Sequence, residues 1–146
     1  EEIQIPEIEV PSSGATFMGA ALELLAQEVE TNVKKTTADE KGDWRPLIFL
    51  MTDGAPSDVY AYQQIIPHIQ QLNFATIVAC AAGPKAKTET LLQLTQKVVV
   101  LDTMDTTSFS SFFKWVSASV VAGSSSAGIS GPISLPPPPS EIQLVL

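Results

Sequence analysis

The sequence predicts an α/β fold of three layers, with helices on both faces of a doubly wound, mostly parallel sheet. Three observations point there. Residues 47–51, 74–80 and 98–101 are apolar at nearly every position, the pattern of strands buried on both faces. Stripes with helical spacing separate these runs, so consecutive strands should pair in parallel through crossover helices. The 146 residues, 45% hydrophobic and 16% charged, suit one domain with a sizeable core.

Residues 1–11 alternate Ile3, Ile5, Ile8 and Val10 with polar residues and carry two prolines, which fits an edge strand or an extended lead-in. Residues 12–16 form a small polar loop suited to capping a helix. Met18, Leu22, Leu25, Val29 and Val33 then recur at steps of three or four on an Ala/Leu/Glu-rich segment. Glu28 and Glu30 precede Lys34 and Lys35, favourable signs for a helix end. Gly42, Asp43 and Pro46 mark a loop before the first buried strand. After the turn-rich residues 52–58, a second helix carries Tyr62, Ile65, Ile66, Ile69 and Leu72 on one stripe. Pro67 inside it is expected to kink it or split it in two. Residues 74–80 read as a second strand, 88–96 as a short helix with Leu91, Leu92 and Leu94, and 98–101 as a third strand. Phe109, Phe112, Phe113, Val116 and Val120 define a last helix. The chain therefore divides into a domain over 1–122 and a tail over 123–146. The tail passes from Gly/Ser-rich sequence through prolines 136–139 to the apolar Ile142, Leu144, Val145 and Leu146.

Eight basic residues against sixteen acidic ones give a net charge of −8, which offers a nucleic-acid backbone nothing to hold. No apolar run approaches the roughly 20 residues of a membrane span, and the acidic start is unlike a signal peptide. The single cysteine and single histidine provide neither a disulfide nor a Cys/His zinc site. The expectation from composition is a soluble, intracellular domain with no nucleic-acid or membrane partner.

Sites in open α/β sheets form at the carboxyl ends of the strands. That singles out the loop Thr52-Asp53-Gly54-Ala55-Pro56-Ser57-Asp58, in which Gly54 lets the chain turn away from Asp53. An acid there can coordinate a hard cation or hold the loop by accepting backbone hydrogen bonds, and both readings stand. His68 shares no motif with a serine or cysteine and reads as an ordinary helix residue. Cys80 and Trp115 read as core. Trp44 and Arg45, in a loop, divide between local packing and partner contact. The prolines read first as a strap along the domain's own surface and second as a ligand for another protein's aromatic groove.

Phe49-Leu50-Met51-Thr52-Asp53-Gly54, preceded by Ser13-Gly14-Ala15-Thr16 and Gly19-Ala20-Ala21-Leu22, resembles the von Willebrand factor A (VWA) domain. The longer run from Lys41-Gly42-Asp43-Trp44-Arg45-Pro46 into Thr52-Asp53-Gly54 resembles its bacterial tellurium-resistance TerY-like branch, over about residues 12–121. The resemblance implies a Rossmann-like sheet and a metal-ion-dependent adhesion site holding Mg²⁺, with Mn²⁺ as the second candidate. Thr16 matches the threonine of the family's second loop and Asp53 the aspartate of its third. The first loop should carry Asp-x-Ser-x-Ser, and this sequence has none. The nearest run, from Asp105 to Ser110, has one residue too many and reads as a helix start, and no Asp follows Ala122. One hydroxyl and one carboxylate leave most of an octahedron to water, so Mg²⁺ should bind this chain weakly. The chain is accordingly expected to be the C-terminal two-thirds of the domain, incomplete at its N-terminus; a degenerate domain is the alternative. In the family's strand order, 3-2-1-4-5-6, loss of strand one would bare an edge of the 47–51 strand, and self-association through it is expected.

The implied function is not enzymatic. It is a cytoplasmic, metal-dependent adaptor in bacterial tellurite and stress resistance, taking an acidic partner group on the cation, with a kinase and a phosphatase of the same gene cluster as partners. Ser57 and Asp58 join Trp44 and Arg45 as partner-contact candidates. The runner-up is a metal-independent scaffold using Trp44, Arg45 and the prolines. A small α/β hydrolase ranks last, since no Gly-x-Ser-x-Gly elbow or Gly-rich phosphate loop occurs.

Overall fold

The structure is a computed structural model and describes residues 14–125 and 135–145. The expected edge strand over residues 1–11 lies outside the described residues. The elements are α1 (Met18–Asn32), β1 (Leu47–Thr52), α2 (Val59–Gln71), β2 (Thr76–Ala82), α3 (Thr88–Leu94), β3 (Val98–Leu101), α4 (Thr106–Ser125) and β4 (Ile142–Val145). The fold is mixed α/β around an open, mostly parallel sheet of order β1-β2-β3-β4. β1 pairs β2 in parallel from Leu47 with Thr76 to Thr52 with Ala81, and β2 pairs β3 in parallel from Ala79 with Val98. β4, from the tail, runs antiparallel to β3, with Ile142 opposite Leu101 and Val145 opposite Val98.

Alternation along β2 sends its side chains into two cores. Ala79 and Ala81 meet Met18, Leu22 and Ala26 of α1, Tyr62, Ile66 and Ile69 of α2, and Leu91 and Leu94 of α3. Val78, Cys80 and Ala82 meet Phe112 and Trp115 of α4, with Val99, Leu101 and Ile142. Small residues at 79, 81 and 82 let the helices seat close to the strand. α3 ends where Thr95 turns its hydroxyl onto the Ile77 carbonyl, 2.9 Å, tying the helix end to the sheet.

Two expectations need correction. Residues 47–51 are half-buried throughout rather than covered on both faces, because β1 has β2 on one side and no other strand pairs with it among the described residues. Pro67 neither splits nor ends α2, which continues through it to Gln71. The reason is position: the carbonyl that Pro67 cannot serve belongs to Gln63, and both residues are exposed, where water can replace a lost helical bond.

Cys80 is fully buried, and burial pushes its thiol up to about 12. We expect a thiol reagent at pH 8 to leave the native protein unlabelled and to modify Cys80 only at the rate of opening. Rapid stoichiometric labelling without denaturant would contradict this packing. No helix among the described residues is long and apolar enough to cross a membrane.

Candidate functional site at the carboxyl ends of the strands

β1 ends in Thr52, whose buried hydroxyl folds back on the loop, donating to the Gly54 carbonyl at 3.1 Å while standing 3.3 Å from the Gly54 amide as its acceptor. This local turn, typical of hydroxyl residues at loop starts, throws Asp53 outward, where it is exposed. The chain entering α1 passes directly alongside. A methyl group added at Gly54 would stand 4.0 Å from the Thr16 hydroxyl oxygen. Thr16 and Asp53-Gly54 therefore share one rim of the sheet.

Reciprocal bonds fasten the two loops. The Thr16 amide donates to the Ser57 hydroxyl at 3.0 Å, and the Ser57 amide donates to the Thr16 carbonyl at 2.8 Å. Asp58 then spans to α1: its carboxylate accepts from the Gly19 amide at 3.1 Å and the Ala20 amide at 2.9 Å. The N-cap position of α1 is Phe17, which has no oxygen to offer, and Asp58 at the N-cap of α2 makes no side-chain cap there. Asp58 thus caps its neighbour instead of its own helix, satisfying first-turn donors that Phe17 leaves open. Side-chain capping comes from Asp58, and the described part of the 12–16 loop adds only the Thr16 carbonyl, which accepts from the Met18 amide at 3.0 Å. Desolvation works to raise the Asp58 carboxyl, but the donors from Ala20, Gly19, Asp58 itself and Met18 outweigh it and hold it below the ordinary 3.8.

The adjoining loops complete the rim. After β2, Gly83 takes φ +81°, and its amide donates to the Leu101 carbonyl at 2.8 Å. A side chain there would meet the Met104 sulfur at 2.7 Å. After β3, Asp105 starts α4: its carboxylate accepts from the Ser108 amide at 2.8 Å, and Thr103 and Ser108 share a hydroxyl bond of 2.7 Å. The Ser108 amide, with the Thr103 hydroxyl, lowers the Asp105 carboxyl below its usual range.

Both depressed carboxyls carry the same sign. Their folded-state pKa values lie below the unfolded 3.8, so the stability they confer is present above about pH 3.8 and lost as pH falls through the folded values. Urea midpoints should fall between pH 5 and pH 2.5. The double variant Asp58→Asn/Asp105→Asn, which keeps acceptor oxygens but cannot titrate, should flatten that fall. An unchanged acid slope in the double variant would refute the assignment.

The remaining candidates lie elsewhere. Trp44 and Arg45 precede β1 and so stand at its amino end, a strand length of about 20 Å from the rim. Trp44 is 56% exposed. Beside them Asp43 ties the loop to the end of α1, accepting from the Lys34 amide at 2.8 Å while donating its own amide to the Lys34 carbonyl at 2.9 Å. His68 faces Glu30 across α1 and α2 at 3.3 Å.

The donor set at the rim, one hydroxyl and one carboxylate, consists of hard oxygens and suits Mg²⁺ in kind. No group of three or more His, Cys, Asp and Glu side chains placed to hold an ion occurs among the described residues. Comparisons with models of protein families, with curated proteins and with solved structures return no match.

Proposed function

We propose that the chain is a metal-ion-dependent protein-binding module of VWA type, akin to the TerY-like branch, serving as a cytoplasmic adaptor in bacterial tellurite and stress resistance. Its partners would be a kinase and a phosphatase of the same gene cluster. The observation that carries the reading is the meeting of the Thr16 hydroxyl with the Asp53-Gly54 turn at the carboxyl rim of a mostly parallel sheet. The helices backing both faces of that sheet accord with a three-layer, doubly wound plan.

Thr16 and Asp53 would hold Mg²⁺, and the cation when bound would supply a position for an acidic side chain of the partner. This chain's own contribution is orientation. Ser57 fixes the backbone of Thr16, and Asp58 fixes the start of α1, so the Thr16 hydroxyl is held near the Gly54 turn without metal. Calorimetry with Mg²⁺ and Mn²⁺, on this chain and on a longer one that includes an Asp-x-Ser-x-Ser loop, tests the proposal. Asp53→Ala should weaken binding at least about tenfold, roughly 1.4 kcal/mol, in both. Equal heats for Asp53→Ala and the parent in both chains would defeat it.

A metal-independent scaffold is favoured by a different observation, the exposure of Trp44 on the loop before β1. Partner binding that survives a chelator but not Trp44→Ala would select that reading.

A further inference from the structure

The indole of Trp115 is buried to 6% exposure on the sheet-facing side of α4, held edge-on by Phe49 with ring centroids 6.2 Å apart. Its one polar group is spent on the tail: the indole N–H donates to the Pro136 carbonyl at 2.9 Å. Pro136, Pro137 and Pro138 lie over a floor made by Val78, Val99 and Trp115. An aromatic donor bonded to a carbonyl of an extended proline run, beside an apolar floor, is the means by which proline-rich ligands are recognised, since such a run keeps its carbonyls free and loses little entropy on docking. Six residues on, Ile142 drops to 4% exposure in the same core and opens the short ladder of β4 on β3.

The tail fits this groove loosely. An open apolar cleft of about 370 Å³ remains among the described residues between the prolines, Trp115 and Leu144. Leu144 is 53% exposed beside it. The cleft wall is apolar apart from Lys97, whose ammonium is bonded to the Thr76 hydroxyl at 2.8 Å.

We propose that the Trp115 groove and the adjoining edge of β3 form a recognition site for a proline-rich, strand-forming segment of a partner protein, held shut by the chain's own residues 135–145. The partner segment presents a proline run to the indole, an aliphatic residue about six positions later in the Ile142 seat, and a side chain larger than Leu144 toward the cleft. The unfilled space selects a partner over a second copy of this chain, which would bring the same underfilling tail. The tethered tail acts as a competitor at an effective concentration of about millimolar, so the partner engages fully once the tail is released. This site is independent of the Thr16–Asp53 rim.

The test uses the full chain with Ile142→Asp to release the tail and a fluorescent peptide of residues 135–146 as the probe. Anisotropy should report binding to this variant, at least about threefold tighter when the peptide carries Leu144→Phe, and about three- to tenfold weaker when Trp115→Phe is added to the chain. No binding, or binding indifferent to both changes, overturns the proposal. The unmodified chain covers the case in which Ile142→Asp fails to fold. At millimolar Leu144→Phe peptide its β4 amides should lose hydrogen-exchange protection while β2 keeps its own, and unchanged β4 protection overturns the proposal. A tail-exchanged dimer of the peptide-free chain, seen by light scattering, would assign the groove to a second copy and equally overturn it.

Discussion

Gly19→Ala should lower the unfolding free energy by about 2 kcal/mol, or about 4–8 °C in Tm for a chain of this size. The added methyl would stand 2.7 Å from the carbonyl carbon of Ala61 and 2.8 Å from its Cβ, and closer still to the Tyr62 amide nitrogen. Two of these atoms are backbone of α2, which cannot swing aside as a flexible side chain would. Relief requires α1 and α2 to part, and that movement pulls on the Asp58 bonds to Gly19 and Ala20 as well as on the Met18 and Leu22 packing. The helix propensity gained by replacing glycine, about 1 kcal/mol, offsets only part of the strain. Gly14→Ala is the control, since a methyl there meets nothing within 4 Å. Denaturant midpoints compare the two, and a Gly19 variant as stable as the Gly14 one would show that the helices are not in contact as described.

The strands of the middle of the sheet were readable because continuous burial leaves a continuous apolar run. β2 and β3 fall within two residues of the apolar segments that announce them. β1 carries an equally apolar run but is half-buried, since hydropathy reports that a strand is covered without reporting what covers its edge. The split expected at Pro67 fails for a related reason. A proline subtracts one helical bond, and only the fold reveals that it and Gln63, whose carbonyl loses the bond, are exposed. β4 was visible as an apolar tail end with nothing local to say that it would pair with β3, because that pairing joins residues some forty positions apart.

At the rim, Asp53 and Gly54 stood out because an acid and a glycine following an apolar strand mark a strand exit. Thr16 has no such local signature and entered through the resemblance. The role of Asp58 was not legible at all. A carboxylate just before a helix looks like that helix's own cap, and the one clue against it lies 41 residues upstream, in the oxygen-free Phe17 at the start of α1. Helix starts read from sequence are uncertain by a residue or two, enough to shift that position onto Thr16 and hide the vacancy.

Tyr62→Ala should cost about 3–5 kcal/mol, by analogy with truncation of other buried aromatic side chains, and Tyr62→Phe about 1 kcal/mol. Tyr62 is 1% exposed on α2, in the core that α1, α2 and α3 share with β2, and its hydroxyl donates to the Thr90 carbonyl in α3 at 2.9 Å. The alanine change removes the ring and leaves a cavity at the junction of those elements. The phenylalanine change keeps the ring and deprives one carbonyl of its donor. Burial pushes the Tyr62 hydroxyl up to about 12, so it remains a donor across the pH range in which the protein is studied. The difference between the two variants, read from denaturant midpoints at pH 7, therefore separates packing from hydrogen bonding at one position. The consequence reaches the rim, because Asp58 is the N-cap residue of α2 and the amide of Tyr62 itself donates to the Asp58 carbonyl at 2.9 Å. Hydrogen-exchange protection of the Gly19 and Ala20 amides should drop in Tyr62→Ala by more than it does elsewhere in α1. A uniform loss across the helix would mean that the capping carboxylate is held by its loop alone and not by the seating of α2.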